Sequence, residues 1–442
     1  MKAPKAGREE LVFLPLGGVG EIGMNLGLYG YGPPNGRAWV AVDFGIAFAG
    51  PDVPGVDIVY PDIAYLEEER ANLEGILITH AHEDHFGALI DLWPRLRVPV
   101  FATAFTAGLL KAKLASEPGA ETIPITVVAA GQRFTVGPFH VEYINVAHSI
   151  PEANALALHT PLGTVLHTGD WKLDDDPAVG EPTNAARLRA LGDAGVLALV
   201  GDSTNAMRDG RSPGETEVTR EIAEIIRTAR GRVAFTSFSS NVGRIRSIAL
   251  AAASCRRDVV VVGRAMRRVI DVATELGMLD GVPPFLDEEA LPYLPREKIV
   301  ALLTGSQGEP RAALARAAAD EHKNVELAPG DIVVFSSRAI PGNEVAINRI
   351  INQFTMRGIR VITDRDRLVH VSGHPRRDEL REMYRWVRPT IAVPVHGEAM
   401  HLAAHADLAD EMGVKTVLAI ENGTMIRLAP GPAEEIDDVA AG

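Results

Sequence analysis

The sequence predicts an α/β protein in two units: stacked sheets with flanking helices, interrupted by an inserted domain built on a parallel sheet. Three observations carry this. At 442 residues the chain exceeds one ordinary hydrophobic core and suffices for two. The rhythm of apolar segments changes near residue 206, from short strands to regular β/α alternation, and changes back near residue 361. The end also resembles the beginning more than the middle, so the C-terminal segment is expected to complete the first unit. The expected division is 1–205 for the first part of the sandwich, 206–360 for the insert and 361–442 for the completing part.

The first part reads as strands LVFLPL, AWVAVDFG, GILITH, FHVEYINV, ALALHT, TVLHTGD and VLALVGDS, with helices such as 101–114 between them. In the middle, helices 217–230, 242–254, 265–277, 311–322 and 343–357 alternate with strands 232–236, 258–262, 299–304 and 331–335. The stretch 278–297 carries four Pro and reads as a loop within the insert. Beyond it VITD, LVHVSG, TIAVPVHG, KTVLAIENG and TMIRLA return as strands, with helices at 377–387 and 399–412. Gly18, Gly20 and Gly23 match the G-x-G-x-x-G of dinucleotide-binding loops. That motif must open a helix, whereas the following MNLGLYGYGPPNG, with Gly27, Gly30, Gly32, Pro33 and Pro34, supplies no helix N-terminus for a pyrophosphate.

Composition narrows the function classes. Hydrophobic residues make up 46% and charged residues 23%, a globular balance. The lone cysteine, Cys255, excludes an intramolecular disulfide and cysteine-based zinc fingers, leaves His and carboxylates as metal ligands, and fits a reducing cytoplasm. The N-terminal MKAPKAGREELVF lacks an apolar signal core and no stretch reaches the roughly 20 apolar residues that span a bilayer, so a soluble cytoplasmic protein is expected. A formal charge of −14 argues against a polyanionic partner unless cations are concentrated. They are: residues 227–268 hold ten Arg (227, 230, 232, 244, 246, 256, 257, 264, 267, 268), no Lys and one acid, Asp258, a net +9. Alone, such a run reads as solvated helix faces; beside a phosphodiesterase centre it reads as a path for a nucleic-acid backbone.

The chemistry is densest at Ile76-Leu77-Ile78-Thr79-His80-Ala81-His82-Glu83-Asp84-His85, where four potential ligands fall within six residues directly after an apolar strand. His80 and His82 share one side of an extended segment, and Asp84 and His85 can turn towards a second ion as a helix begins. His148, Asp170 and His396 each follow a predicted strand, the placement of a site assembled on the rim of two sheets. Asp43, ending AWVAVD, is assigned to orient a ligating His from behind. The remaining His, including His167, His370 and His405, read as core or surface residues, and Glu83 is given no role.

H-A-H-E-D-H with Asp43, His148 and Asp170 resembles the metallo-β-lactamase fold, an αββα sandwich. GDSTN (201–205), VSGH (371–374) and PVHGE (394–398) resemble the nucleic-acid-specific β-CASP subgroup, whose inserted domain caps the active site. Within it, PLGGVGEIGMN (15–25), VYPDI (59–63), TSFSSNVGR (236–244), TGSQGEP (304–310) and FSSRAIPGNE (335–344) are similar to bacterial ribonuclease J over nearly the whole chain. That family usually continues into a small C-terminal domain; the sequence stops at Gly442, so that domain is expected to be absent here, through truncation or in a short natural form.

The resemblance implies a function and roles. Two divalent cations, zinc first with manganese or magnesium as alternatives, would activate water for attack on an RNA phosphodiester. His80, His82 and His148 would hold one ion, Asp84, His85 and His396 the other, and Asp170 would bridge them. His374 would protonate the leaving oxygen or stabilise the transition state. A pocket of Ser237, Ser240, Asn241, Ser372, Gly373 and His374 would take a 5′-monophosphate, and Arg244 and Arg264 would track the RNA. The expected activity is 5′-to-3′ exonuclease and endonuclease cleavage of single-stranded RNA in maturation and decay, by a homodimer weakened without the C-terminal domain, within a degradation assembly. The competing functions are a nuclease of the same fold acting on DNA or tRNA ends, a small-molecule thioester or lactam hydrolase, and a non-catalytic RNA-binding scaffold. The motif strings oppose the first, the insert of about 150 residues the second, and the intact ligand positions the third.

Overall fold

The run ELVFLPLG alternates its contacts as a strand between two apolar layers must. In the computed structural model, which describes residues 8–49, 53–340 and 342–442, it forms strand Glu10–Gly17. The opening MKAPKAG and Pro341 of the FSSRAIPGNE run lie outside the described residues. Leu11 and Phe13 point into the space between two sheets, while Val12 and Leu14 face the helices outside. The first sheet has eight strands, in the order Glu434–Asp438, Thr424–Ala429, Glu10–Gly17, Leu26–Gly32, Ala38–Val42, Leu73–Leu77, Val100–Ala102 and Ile125–Val127. The second has seven, in the order Arg133–Val136, Phe139–Asn145, Asn154–Thr160, Gly163–His167, Ala198–Asp202, Ile391–Val395 and Thr416–Val417.

Between them Phe13, Tyr29, Val40 and Val42 of the first sheet meet Tyr143, Leu156, Leu158, Val200 and Val393 of the second. The opposite face of the second sheet buries Leu166, Leu199 and Ala392 against helices Ala185–Ala194, Arg377–Val387 and Ala399–Glu411. Helices outside, two sheets within: this is the expected αββα sandwich. Ile391–Val395 pairs in parallel beside Ala198–Asp202 although the whole inserted domain separates them in sequence.

Five parallel strands form the third sheet, in the order Asp258–Val262, Ile299–Leu303, Val233–Thr236, Ile332–Phe335 and Arg360–Ile362. Their β-branched runs are buried on both faces, as parallel strands usually are. Val233, Phe235, Val261 and Leu302 face helices Glu215–Thr228, Val242–Ser254 and Arg264–Glu275. Ala234, Val262, Leu303 and Val333 face helices Ala313–Ala318 and Glu344–Met356. Two expectations fail at the edges. VITD, assigned to the returning sandwich, supplies Arg360–Ile362 as the fifth strand of this sheet, because its apolar residues complete an otherwise open edge. LVHVSG is not a strand; Val369 and Val371 are buried but the segment runs as irregular chain towards His374.

Candidate metal centre

Strand ends deliver every donor. His80 and His82 follow Leu73–Leu77, and Asp84 and His85 open the short helix Glu83–Phe86. His148 follows Phe139–Asn145, Asp170 follows Gly163–His167, and His396 follows Ile391–Val395. Their ligand atoms converge in overlapping groups: His80, His82, His148 and Asp170 in one, Asp84, His85, Asp170 and His396 in the next, with donors within 4.8 Å of one another. Asp170 is common to both groups. Its Oδ2 lies 3.7 Å from His80 Nε2, 3.6 Å from His148 Nε2 and 3.3 Å from His85 Nε2, and its Oδ1 lies 3.4 Å from His396 Nε2.

The hydrogen bonds behind these residues fix which nitrogens are bare. Asp43 accepts from Thr79 N at 2.8 Å, from Thr79 Oγ1 at 2.8 Å and from His85 Nδ1 at 2.7 Å. Because the Thr79 hydroxyl spends its one proton on Asp43, it accepts from His80 Nδ1 at 2.9 Å. His148 Nδ1 donates to the Gly373 carbonyl at 2.7 Å. The Nε2 atoms of His80 and His148 are therefore lone pairs aimed inward, each ring oriented by a partner on its far side; the His85 ring is oriented likewise by Asp43, with its Nε2 3.2 Å from Asn25 Nδ2. Asp43 thus lies behind the His85 ring, and it holds a left-handed φ of 64°, a strained conformation for a non-glycine residue. Gly45 beside it could carry no side chain, since a Cβ would fall 1.7 Å from the Asp84 carbonyl oxygen.

These donors fit divalent cations. His82 Nδ1 stands 3.1 Å from both His80 Nε2 and His148 Nε2, and a single N–H could satisfy only one of those lone pairs. Nitrogens at about 2.0–2.1 Å from a tetrahedral zinc ion are about 3.3–3.4 Å apart, so the spacing is that of ligands around an ion. Burial pulls the His80 and His148 imidazoles well below their usual pKa, and His82 down to about 4, so all three stay neutral and ready to ligate. Burial pushes the Asp170 carboxyl up, but His396, His85 and His374 outweigh it and hold Asp170 ionised well below the usual range.

His374 lies on the rim, with Nδ1 2.8 Å from Asp202 Oδ2 and 3.8 Å from Asp170 Oδ2. Burial lowers its pKa, yet Asp202 and then Asp170 push it up to about 9. Asp202 carried no role in the sequence reading, although it ends strand Ala198–Asp202 in GDSTN much as Asp170 follows its own strand, and the strand-end rule would have found it. The glycine-rich loop 18–23 serves the structure instead of a dinucleotide. The Gly18 carbonyl accepts from His396 N, and Val19–Gly20 pairs with Gly397–Glu398, so the loop clamps a donor in place. As expected, it leads into strand Leu26–Gly32 and not a helix.

The residues expected to hold RNA are less united. Ser237 and Arg264 line a cleft of about 550 Å³ with Phe238, Arg268 and Ser306, at the ends of three parallel strands. Asn241 and Ser372 instead line a small cavity of about 30 Å³ against His148. Asn241 Oδ1 caps its helix by accepting from Arg244 N at 2.8 Å, and Ser372 Oγ accepts from Asn205 Nδ2 at 2.9 Å. Ser240 is half-buried, and Gly373 is buried and must be glycine, since a Cβ there would meet His148 Nδ1 at 2.5 Å. Arg244 is corrected outright. It is 0% exposed, with its guanidinium committed to Glu215, Ser336 and Val369, and cannot track a polyanion. Arg232 and Arg257 are buried likewise on backbone carbonyls, so the +9 run is in part internal scaffolding.

Comparison with known proteins agrees with the fold. The family described as "Beta-lactamase superfamily domain" matches residues 39–235, "Ribonuclease J, beta-CASP domain" matches 230–354, and "Zn-dependent metallo-hydrolase RNA specificity domain" matches 358–419. A ribonuclease J of Sinorhizobium meliloti is 60% identical over 434 residues, covering 98% of this chain and 77% of that protein. One from Mycolicibacterium smegmatis is 42% identical, covering 97% and 76%. A crystal structure of a protein of unknown function from Enterococcus faecalis V583 matches with a TM-score of 0.64 at 16% identity, covering 95% of this chain and all of that one, which supports the fold alone. With the sandwich and the insert each matched by a family model and these relatives covering nearly its full length, the chain belongs to the ribonuclease J family.

Proposed function

We propose that the protein hydrolyses single-stranded RNA with two divalent cations, removing nucleotides from a 5′-monophosphorylated end and also cutting internally. The carrying observation is the shared Asp170 carboxylate, within 3.3–3.7 Å of histidines from both donor groups. His80, His82 and His148 would hold one cation and Asp84, His85 and His396 the other, with Asp170 common to both groups. The nitrogen-rich first group favours zinc, with manganese and magnesium as alternatives. Cations bound there would supply Lewis-acid chemistry, a nucleophile at neutral pH and compensation of phosphate charge.

The chain's own groups do the rest. Asp43 and Thr79 keep imidazole lone pairs aimed inward, and Asp202 holds His374 with Nδ1 occupied and Nε2 free to give its proton to the leaving oxygen. Ser237, Ser240, Ser372 and the Gly373 backbone receive the terminal phosphate, with the remaining amide of Asn241. Arg264 and Arg268, beside the large cleft, lead the strand outwards. The protein works in the cytoplasm, as a homodimer, within an RNA degradation assembly; no helix of the described residues is long and apolar enough to cross a membrane.

The test uses one RNA labelled at its 3′ end, carrying a 5′-monophosphate or a 5′-triphosphate, beside a DNA of equal sequence. Rapid loss of the monophosphorylated RNA alone is expected, and it should vanish in His80→Ala. Equal cleavage of RNA and DNA, or none with any cation, would overturn the reading.

A further inference from the structure

A buried arginine beside a catalytic centre asks what its charge is for. Arg244 donates from Nε and Nη2 to the two oxygens of Glu215 at 2.6 and 2.9 Å, and from Nη1 to the Val369 carbonyl at 2.7 Å and to Ser336. Ser336 Oγ donates to the same Val369 carbonyl at 2.7 Å. Val369 opens the irregular segment in which Gly373 orients His148 and His374 faces Asp170 and Asp202. Among the described residues this segment has no strand pairing of its own, so side-chain tethers must fix it.

The other end of the pair reaches the opposite wall. Glu215 N donates to Asp174 Oδ2 at 3.1 Å, and Lys172 Nζ donates to the same oxygen at 2.6 Å. Lys172 N in turn donates to the Ala147 carbonyl at 2.8 Å, next to His148. Lys172, Asp174 and Glu215 are all buried; the first two lie just beyond Asp170 in the chain, and Glu215 is bonded to the second. We infer that the Arg244–Glu215 pair is a strut between the inserted domain and the sandwich, setting the segment of His374 against the segments of Asp170 and His148. Arg244 is then a positioning residue. A planar fork is needed because three partners lie in different directions, a geometry that the point charge of a lysine does not match.

This rests on the role given to His374 above, and the experiment separates the two. Removing one partner would leave a buried charge unpaired, so the test removes both, as Arg244→Met with Glu215→Gln, a change that folded proteins commonly tolerate. Thermal melting checks the fold, filter binding over a salt series gives RNA affinity, single-turnover cleavage gives the chemical step, and hydrogen exchange follows amides 369–374. The strut predicts a folded variant with unchanged affinity and salt slope, cleavage slowed about 10–100-fold, and faster exchange at 369–374. A salt slope reduced by about one with the chemical step intact would make Arg244 a phosphate contact and overturn the strut. Unchanged exchange and unchanged cleavage would overturn it too. A variant that melts below the assay temperature is replaced by Arg244→Lys, with the same readouts deciding. If wild-type protein cleaves no RNA, the functional reading fails, while the exchange measurement still tests the strut.

Discussion

The donor cluster and the cleft over the parallel sheet are built in opposite ways. At the cluster, four of seven donors come from six consecutive residues, and every other one ends a strand of the same sheet pair. The second nitrogens of His80, His85 and His148 are held by Thr79, Asp43 and Gly373, so each of those three side chains has one orientation. Along the cleft, Ser116, Ser237, Arg264 and Ser306 come from separate elements of both units, and Arg264 is exposed. A metal ion demands donors within a few tenths of an ångström, whereas a flexible polyanion is guided by dispersed charge. The first demand writes itself into a short motif; the second leaves only a compositional trace, and that trace was shared with the scaffold.

If this contrast is right, damage to the cluster is far costlier than damage to the cleft. Asp170→Asn, which removes the one carboxylate common to both donor groups, should lower RNA cleavage on the order of 10³-fold or more in single-turnover assays. Asp43→Asn leaves every donor in place but weakens the grip on His85 and Thr79. Metal titration should show affinity falling about 10–100-fold, and an unchanged affinity would mean the donors need no support from behind. Arg264→Ala should leave the chemical step alone and reduce the slope of log affinity against log salt by about one, in binding measured across a salt series. A loss of cleavage rate at constant affinity would place Arg264 at the centre and erase the contrast.

The smallest effect concerns the sandwich itself. His405 is buried between Ser203 Oγ at 2.8 Å and the Tyr384 hydroxyl at 2.9 Å, and burial pulls its pKa down to about 4. The unfolded chain, with an ordinary value of about 6.5, takes up this proton first as pH falls. Its contribution to stability is therefore present above about pH 6.5 and is lost between about 6.5 and 4, by roughly 2–3 kcal/mol. Urea unfolding at pH 7 and pH 4.5 should show a smaller loss in His405→Gln than in the wild type. Equal losses would contradict the assignment.

Much of the fold could be read because apolar segments of two and 3.6 residue period sit where the elements form: Val242–Ser254 and Asp258–Val262 fall on their expected spans. LVHVSG misled because its alternation arises from Val369 and Val371 packing under a tether, not from pairing in a sheet. The convergence of the candidate donors was legible through density and strand-end position. The part played by Arg244 was not, since an arginine in a basic run looks the same whether Glu215, 29 positions away, reaches it or solvent does. Asn241 was ambiguous for a related reason: a residue that caps a helix and one that grips phosphate share the same chemistry.

That this donor cluster works as a two-cation centre is tested most directly by following bound divalent metal and RNA cleavage in the same sample through chelation and reconstitution. Cleavage should disappear as metal is stripped and return as two equivalents per chain are restored, with Asp170→Asn failing to recover. Full cleavage by protein holding no divalent cation would contradict it.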